Sequence, residues 1–208
     1  MWQLDELLAI LSGIHALLAA ARWSPGDFQR AMWIDSEHPL YLGIGTVRVE
    51  GIEVAGGLTT GAAHINPHIT MDLPMMQAES KDDPAYLQLI EITMVHELAH
   101  VWDRADHTRL SQGLAQLVNT GGGTKPWLNR TEPFPSKYAL DSYPGQSAVS
   151  GSYSTGYREE WADTVVAVVY SQSTGVNQQY SSVPFNQYCT AATYVEQQFT
   201  DVRTASYH

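Results

Sequence analysis

The chain has 208 residues, 44% of them apolar and only 16% charged, a globular composition that excludes a disordered chain. Its formal net charge of -11, from 22 acidic and 11 basic residues, argues against a partner that presents a nucleic-acid backbone. A single cysteine, Cys189, excludes a disulfide framework and a cysteine-rich metal site.

The length is that of one domain, and residues 1–208 are expected to form one, with an N-terminal lobe over about 1–106 and a C-terminal lobe over about 107–208. No uninterrupted apolar run approaches the roughly 20 residues of a membrane span. Residues 2–22 read as a helix, stopped at Trp23-Ser24-Pro25-Gly26-Asp27. Asp5 and Glu6 precede its apolar part where a secretory signal carries Lys or Arg, so it reads as a packed helix of the mature chain. A short helix follows over 27–38. Residues 40–74 change texture: Thr46-Val47-Arg48-Val49-Glu50 alternates as a strand does, and residues 63–73 read as one or two strands around Asn66-Pro67. His64 and His68 fall there, and Pro67 between them argues against a helical ligand pair. Asp82-Asp83-Pro84 opens a helix over about 84–105, and another is expected over 107–119, before Gly121-Gly122-Gly123. Residues 120–157, rich in Gly, Pro, Ser and Tyr, read as a long loop region. Helices over 158–170 and 187–203 complete the chain.

Residues 96–100 read His-Glu-Leu-Ala-His. On a helix, positions i and i+4 share a face, so His96 and His100 can hold one metal ion. Glu97 lies about 100° round the same turn, badly placed to ligate but able to reach a water beside the metal. That is the zinc-hydrolase pattern, with one Zn2+ per chain and the glutamate as general base. A catalytic zinc takes three protein ligands and leaves one position open. One route to the third is Asp106, as in zinc proteases with a short spacer, but those have Gly at the position of Asp103. The other is a carboxylate from the later helix, which opens Arg158-Glu159-Glu160-Trp161-Ala162-Asp163. Glu159 and Asp163 are i, i+4 on one face, so Glu159 can ligate while Asp163 accepts a hydrogen bond from a ligand histidine. Glu160 competes, about 100° away.

In these residues the chain resembles the anthrax lethal factor-like zinc metallopeptidases, and within them the small single-domain Pro-Pro endopeptidases. The shared features are the His96-Glu97-Leu98-Ala99-His100 helix with Asp103 three residues on, and Glu159-Glu160-Trp161-Ala162-Asp163 in place of the family's Glu-x-x-Ala-Glu. Cys189-Thr190-Ala191-Ala192-Thr193-Tyr194 is similar to the start of the family's last helix. The family has a tyrosine seven residues before the ligand glutamate, where this chain has Ser152. Tyr138, within Ser136-Lys137-Tyr138-Ala139, has the local pattern and Tyr153 the approximate spacing; Tyr157 ranks behind both.

The resemblance implies an α+β, zincin-like metallopeptidase domain: a small twisted sheet packed on the active-site helix and a mainly helical C-terminal half. It implies a zinc endopeptidase with His96, His100 and Glu159 as ligands, Glu97 as base, Tyr138 or Tyr153 on the oxyanion, and Asp163 orienting a zinc histidine. The expected partner is a peptide or protein substrate; the resemblance allows a preference for proline near the cleaved bond, and the residues themselves set no subsite rule. The chain is expected to act as a monomer, with no nucleic acid and no membrane span. Its three lysines and many Tyr, Ser, Thr and Gln residues suit a secreted protein. The rival readings are a short-spacer protease using Asp106 and a non-catalytic binding module with a structural zinc.

Overall fold

The computed structural model describes residues 2–49, 52–53, 56–60, 67–80, 82–119, 130–136, 139, 153–170 and 189–205. The fold is α+β, and the chain divides into two compact units, Met1–Ala105 and Asp106–His208.

The first unit is organised by its last helix. Helices α1 (Leu4–Ala21), α2 (Pro25–Met32) and α3 (Leu73–Glu79), and strand β4 (Gly57–Thr60), all pack on α4 (Asp83–Ala105). Helix α4 starts where the sequence indicates: the Asp82 carboxylate accepts the Ala85 backbone N–H at 2.9 Å, and Pro84 sits in the first turn, where no N–H is needed. From Ile92 to Leu98 every residue is buried, polar ones included, so the helix presents no solvent stripe there.

Helix α1 opens on a bond from the Gln3 backbone N–H to Glu6 Oε2, at 2.7 Å. The other Glu6 oxygen accepts the Tyr86 hydroxyl at 2.8 Å, tying α1 to α4 across a buried contact. Burial and the adjacent Glu6 carboxylate push the Tyr86 phenol above its ordinary range, so it stays a donor. The two helices approach closely at Gly13. A Cβ there would lie 2.5 Å from the Glu91 carbonyl oxygen and 3.2 Å from Met94 Cβ. By length and composition α1 could cross a membrane, with a mean hydropathy of 1.6 over 18 residues. Ser12 and His15 break the uninterrupted run, which is why reading continuous stretches does not register it.

The sheet has the order β1-β5-β4. Strand β1 (Tyr41–Ile44) runs parallel to β5 (His68–Met71), and β4 runs antiparallel to it, with Gly57 opposite Met71 and Thr59 opposite Ile69. Ile69 and Met71 are buried from β5 and Thr59 from β4, while Leu58 is exposed, the two-residue period of a half-buried sheet. A separate two-stranded hairpin joins β2 (Arg48–Val49) to β3 (Ile52–Glu53). Among the described residues, the alternating run at 46–50 therefore yields a two-residue strand, outside the main sheet. Strands β1 and β4 and helix α3 were not resolved by the sequence reading.

In the second unit, helices α5 (Arg109–Val118), α6 (Tyr153–Val169) and α7 (Cys189–Thr204) pack pairwise. Trp161 on α6 is fully buried and meets the Tyr194 ring edge-on, with centroids 6.2 Å apart. The Glu132 carboxylate accepts the Thr190 and Ala191 backbone N–H groups, capping α7 from a distant part of the chain. Helix α6 begins five residues before the expected start at 158, so Tyr153 belongs to its first turn and not to a preceding loop.

The Gly13 contact makes a stability prediction. Gly13→Val drives a branched side chain into the Glu91 backbone, and the loss expected in denaturant unfolding is about 1–3 kcal/mol.

Candidate metal centre

Helix α4 brings His96 and His100 to one face, and their Nε2 atoms lie 3.0 Å apart. The rings meet edge-on, with centroids 4.7 Å apart at 79°. Two nitrogens bound at 2.0–2.1 Å to one tetrahedral ion stand about 3.3 Å from each other, so the pair fits zinc with a shift of a few tenths of an ångström. The third candidate ligand, Glu159, lies on α6 of the second unit and is half-buried there. Two imidazoles and a carboxylate are a donor set suited to zinc.

Glu97 is buried one residue along α4, and strand β4 meets it. Thr59 Oγ1 donates to Glu97 Oε2 at 2.6 Å and lies 3.1 Å from the Glu97 carbonyl oxygen. Gly57 is on the same face of the strand, two residues earlier. A Cβ there would lie 2.5 Å from Glu97 Cγ and 2.7 Å from Oε1. Neither residue was singled out in the sequence. Their only signal was a Gly-x-Thr step in a stretch of strand texture, with nothing local to link it to residue 97.

Asp103 is buried on α4, one turn beyond His100. The helix ends at Ala105, and His107 and Thr108 turn the chain with φ of 54° and 65°. Asp106 lies in that turn, its carbonyl accepting the Arg109 N–H at 3.1 Å.

On α6, neighbouring carboxylates take different partners. Glu160 pairs with Arg130, which also donates through Nη1 to Asn119 Oδ1 at 2.8 Å and through Nε to the Glu132 carbonyl at 2.9 Å. The guanidinium lies 3.8 Å over the Phe134 ring. The pair is almost wholly desolvated, with side-chain exposures of 8% and 1%, which makes Glu160 an anchor for the segment 130–136. Asp163, one turn after Glu159, accepts the Ser136 hydroxyl, and Ser136 Oγ accepts the Ala139 backbone N–H at 2.9 Å.

Tyr138 and His64 lie outside the described residues, and of Tyr153 only the helical backbone is described. His68 is on β5 and stacks on Tyr41, centroids 4.8 Å apart.

No family model, curated protein or solved structure matches the chain.

Removing Arg130 tests the division between the two glutamates. Arg130→Met leaves the Glu160 carboxylate buried without its charge partner, and the loss expected in denaturant unfolding is about 3–5 kcal/mol.

Proposed function

We propose that the chain is a zinc-dependent endopeptidase of the zincin type, with His96, His100 and Glu159 holding one zinc ion. The observation that carries this reading is the pair of histidine nitrogens, 3.0 Å apart on one face of α4, beside a buried glutamate on the same helix. When bound, zinc would polarise the scissile carbonyl and lower the pKa of the attacking water.

The chain's own groups supply the rest. Glu97 takes a proton from the attacking water and passes it to the leaving amine, so the same carboxylate serves as base and then as acid. A tyrosine hydroxyl donates to the oxygen that becomes negative as the carbonyl turns tetrahedral. Tyr138 is favoured over Tyr153 for this role, because its described neighbours Ser136 and Ala139 are tied to Asp163, one turn from Glu159. Asp163 holds that segment and remains the candidate to orient a ligand histidine. The substrate class is a peptide or protein, and the resemblance to the Pro-Pro endopeptidases allows proline near the cleaved bond. Secretion and a monomeric state belong to the same reading, and the net charge of -11 suits a basic or neutral substrate.

The deciding measurement is zinc per chain after dialysis against a weak chelator. The parent should retain about one zinc, as a catalytic site with three protein ligands does. Glu159→Ala should lose most of it, and Asp106→Ala should retain it. Zinc retained by Glu159→Ala but lost by Asp106→Ala would overturn the ligand set in favour of the short-spacer arrangement. Glu97→Ala should keep its zinc and lose peptide hydrolysis by about 10²–10⁴-fold. Full activity in that variant would remove Glu97 as the base.

A further inference from the structure

We infer that Gly57 and Thr59 of β4 form a seat for the Glu97 carboxylate, dividing its two oxygens between a fixed role and a reactive one. The inference rests on the endopeptidase reading and deepens it: Thr59 becomes a positioning residue for the general base, and Gly57 the residue that keeps the base's second oxygen accessible.

Strand periodicity puts residues 57 and 59 on one face, and β4 packs that face on α4. The Thr59 hydroxyl has a single proton. It goes to Oε2, at 2.6 Å, and not to the neutral carbonyl at 3.1 Å, because the carboxylate is the nearer and stronger acceptor. One oxygen is thereby committed. Oε1 receives no hydrogen bond among the described residues, and it is the oxygen on the Gly57 side. The missing side chain is what leaves it room: a methyl group there would stand 2.7 Å from Oε1 and 2.8 Å from Cδ.

A glutamate that served packing alone would gain from a second donor or from close contact around Oε1. A base that must take and release a proton needs one oxygen held and the other free to face the reacting water. Gly57 has no left-handed φ, so backbone conformation does not demand glycine at this position. Close approach to Glu97 does.

The test uses the full-length, zinc-loaded chain and a peptide that the parent cleaves. Thr59→Val keeps the side-chain shape and removes the donor. It should hold its zinc and lower kcat on the order of 10-fold or more with KM unchanged, while Thr59→Ser, which restores a donor, should recover most of the rate. Gly57→Ala must displace the carboxylate by about 1 Å to reach ordinary contact, and kcat should fall on the order of 10²-fold with zinc retained.

A second readout does not depend on turnover. In the metal-free protein, the melting-temperature losses of Thr59→Val and Glu97→Ala should combine to less than their sum in the double variant, because both remove one interaction. Additive losses would overturn the contact. Parent-like kcat in Thr59→Val, beside an inactive Glu97→Ala, would overturn the positioning role and leave the endopeptidase reading standing. A zinc-loaded parent that cleaves no peptide would remove that reading, and this inference with it.

Discussion

Helix α4 is buried through its middle turns, yet within eight residues it carries His96, Glu97, His100 and Asp103. An ionisable group moved out of water is costly unless it is paired or hydrogen-bonded. The local structure around those turns is an answer to that cost. Glu97 is met by the Thr59 hydroxyl, and the two imidazoles are turned nitrogen to nitrogen at 3.0 Å. Two imidazole nitrogens at that distance stand where one metal ion could be held between them.

Much of the first unit can be understood as support for that helix. The Gly13 approach lets α1 lie close against Glu91 and Met94, and the Glu6–Tyr86 bond fixes the two helices along their length. The sheet contributes through one face of one strand: β5 buries Ile69 and Met71, while β4 turns Gly57 and Thr59 toward Glu97. Rigid elements hold such buried groups in place more closely than loops do.

The second unit applies a related logic to a helix with three carboxylates in five positions. Glu160 is committed to Arg130, Asp163 takes the Ser136 hydroxyl, and Glu159, one turn before Asp163, is half-buried. Geometry explains the division. Consecutive helical residues point about 100° apart, so Glu159 and Glu160 face different surroundings, whereas Glu159 and Asp163 share a face. The Arg130 network also fixes the segment leading to Ser136, which links the region before Tyr138 to the helix that carries Glu159.

The sequence by itself determined what is local. The i, i+4 histidines, the Asp82-Pro84 start of α4, the long helices and the common face of Glu159 and Asp163 follow from helical period and capping, which act within a few residues. It left strands β1 and β4 and helix α3 unread, and it set α6 five residues late, because short strands and frayed helix starts carry little periodic signal. Only the tertiary structure decided that Glu160 answers to Arg130, thirty positions earlier, and that Glu97 is met by Gly57 and Thr59, some forty positions earlier. Those pairings are made by packing between distant segments, and no spacing along the chain encodes them.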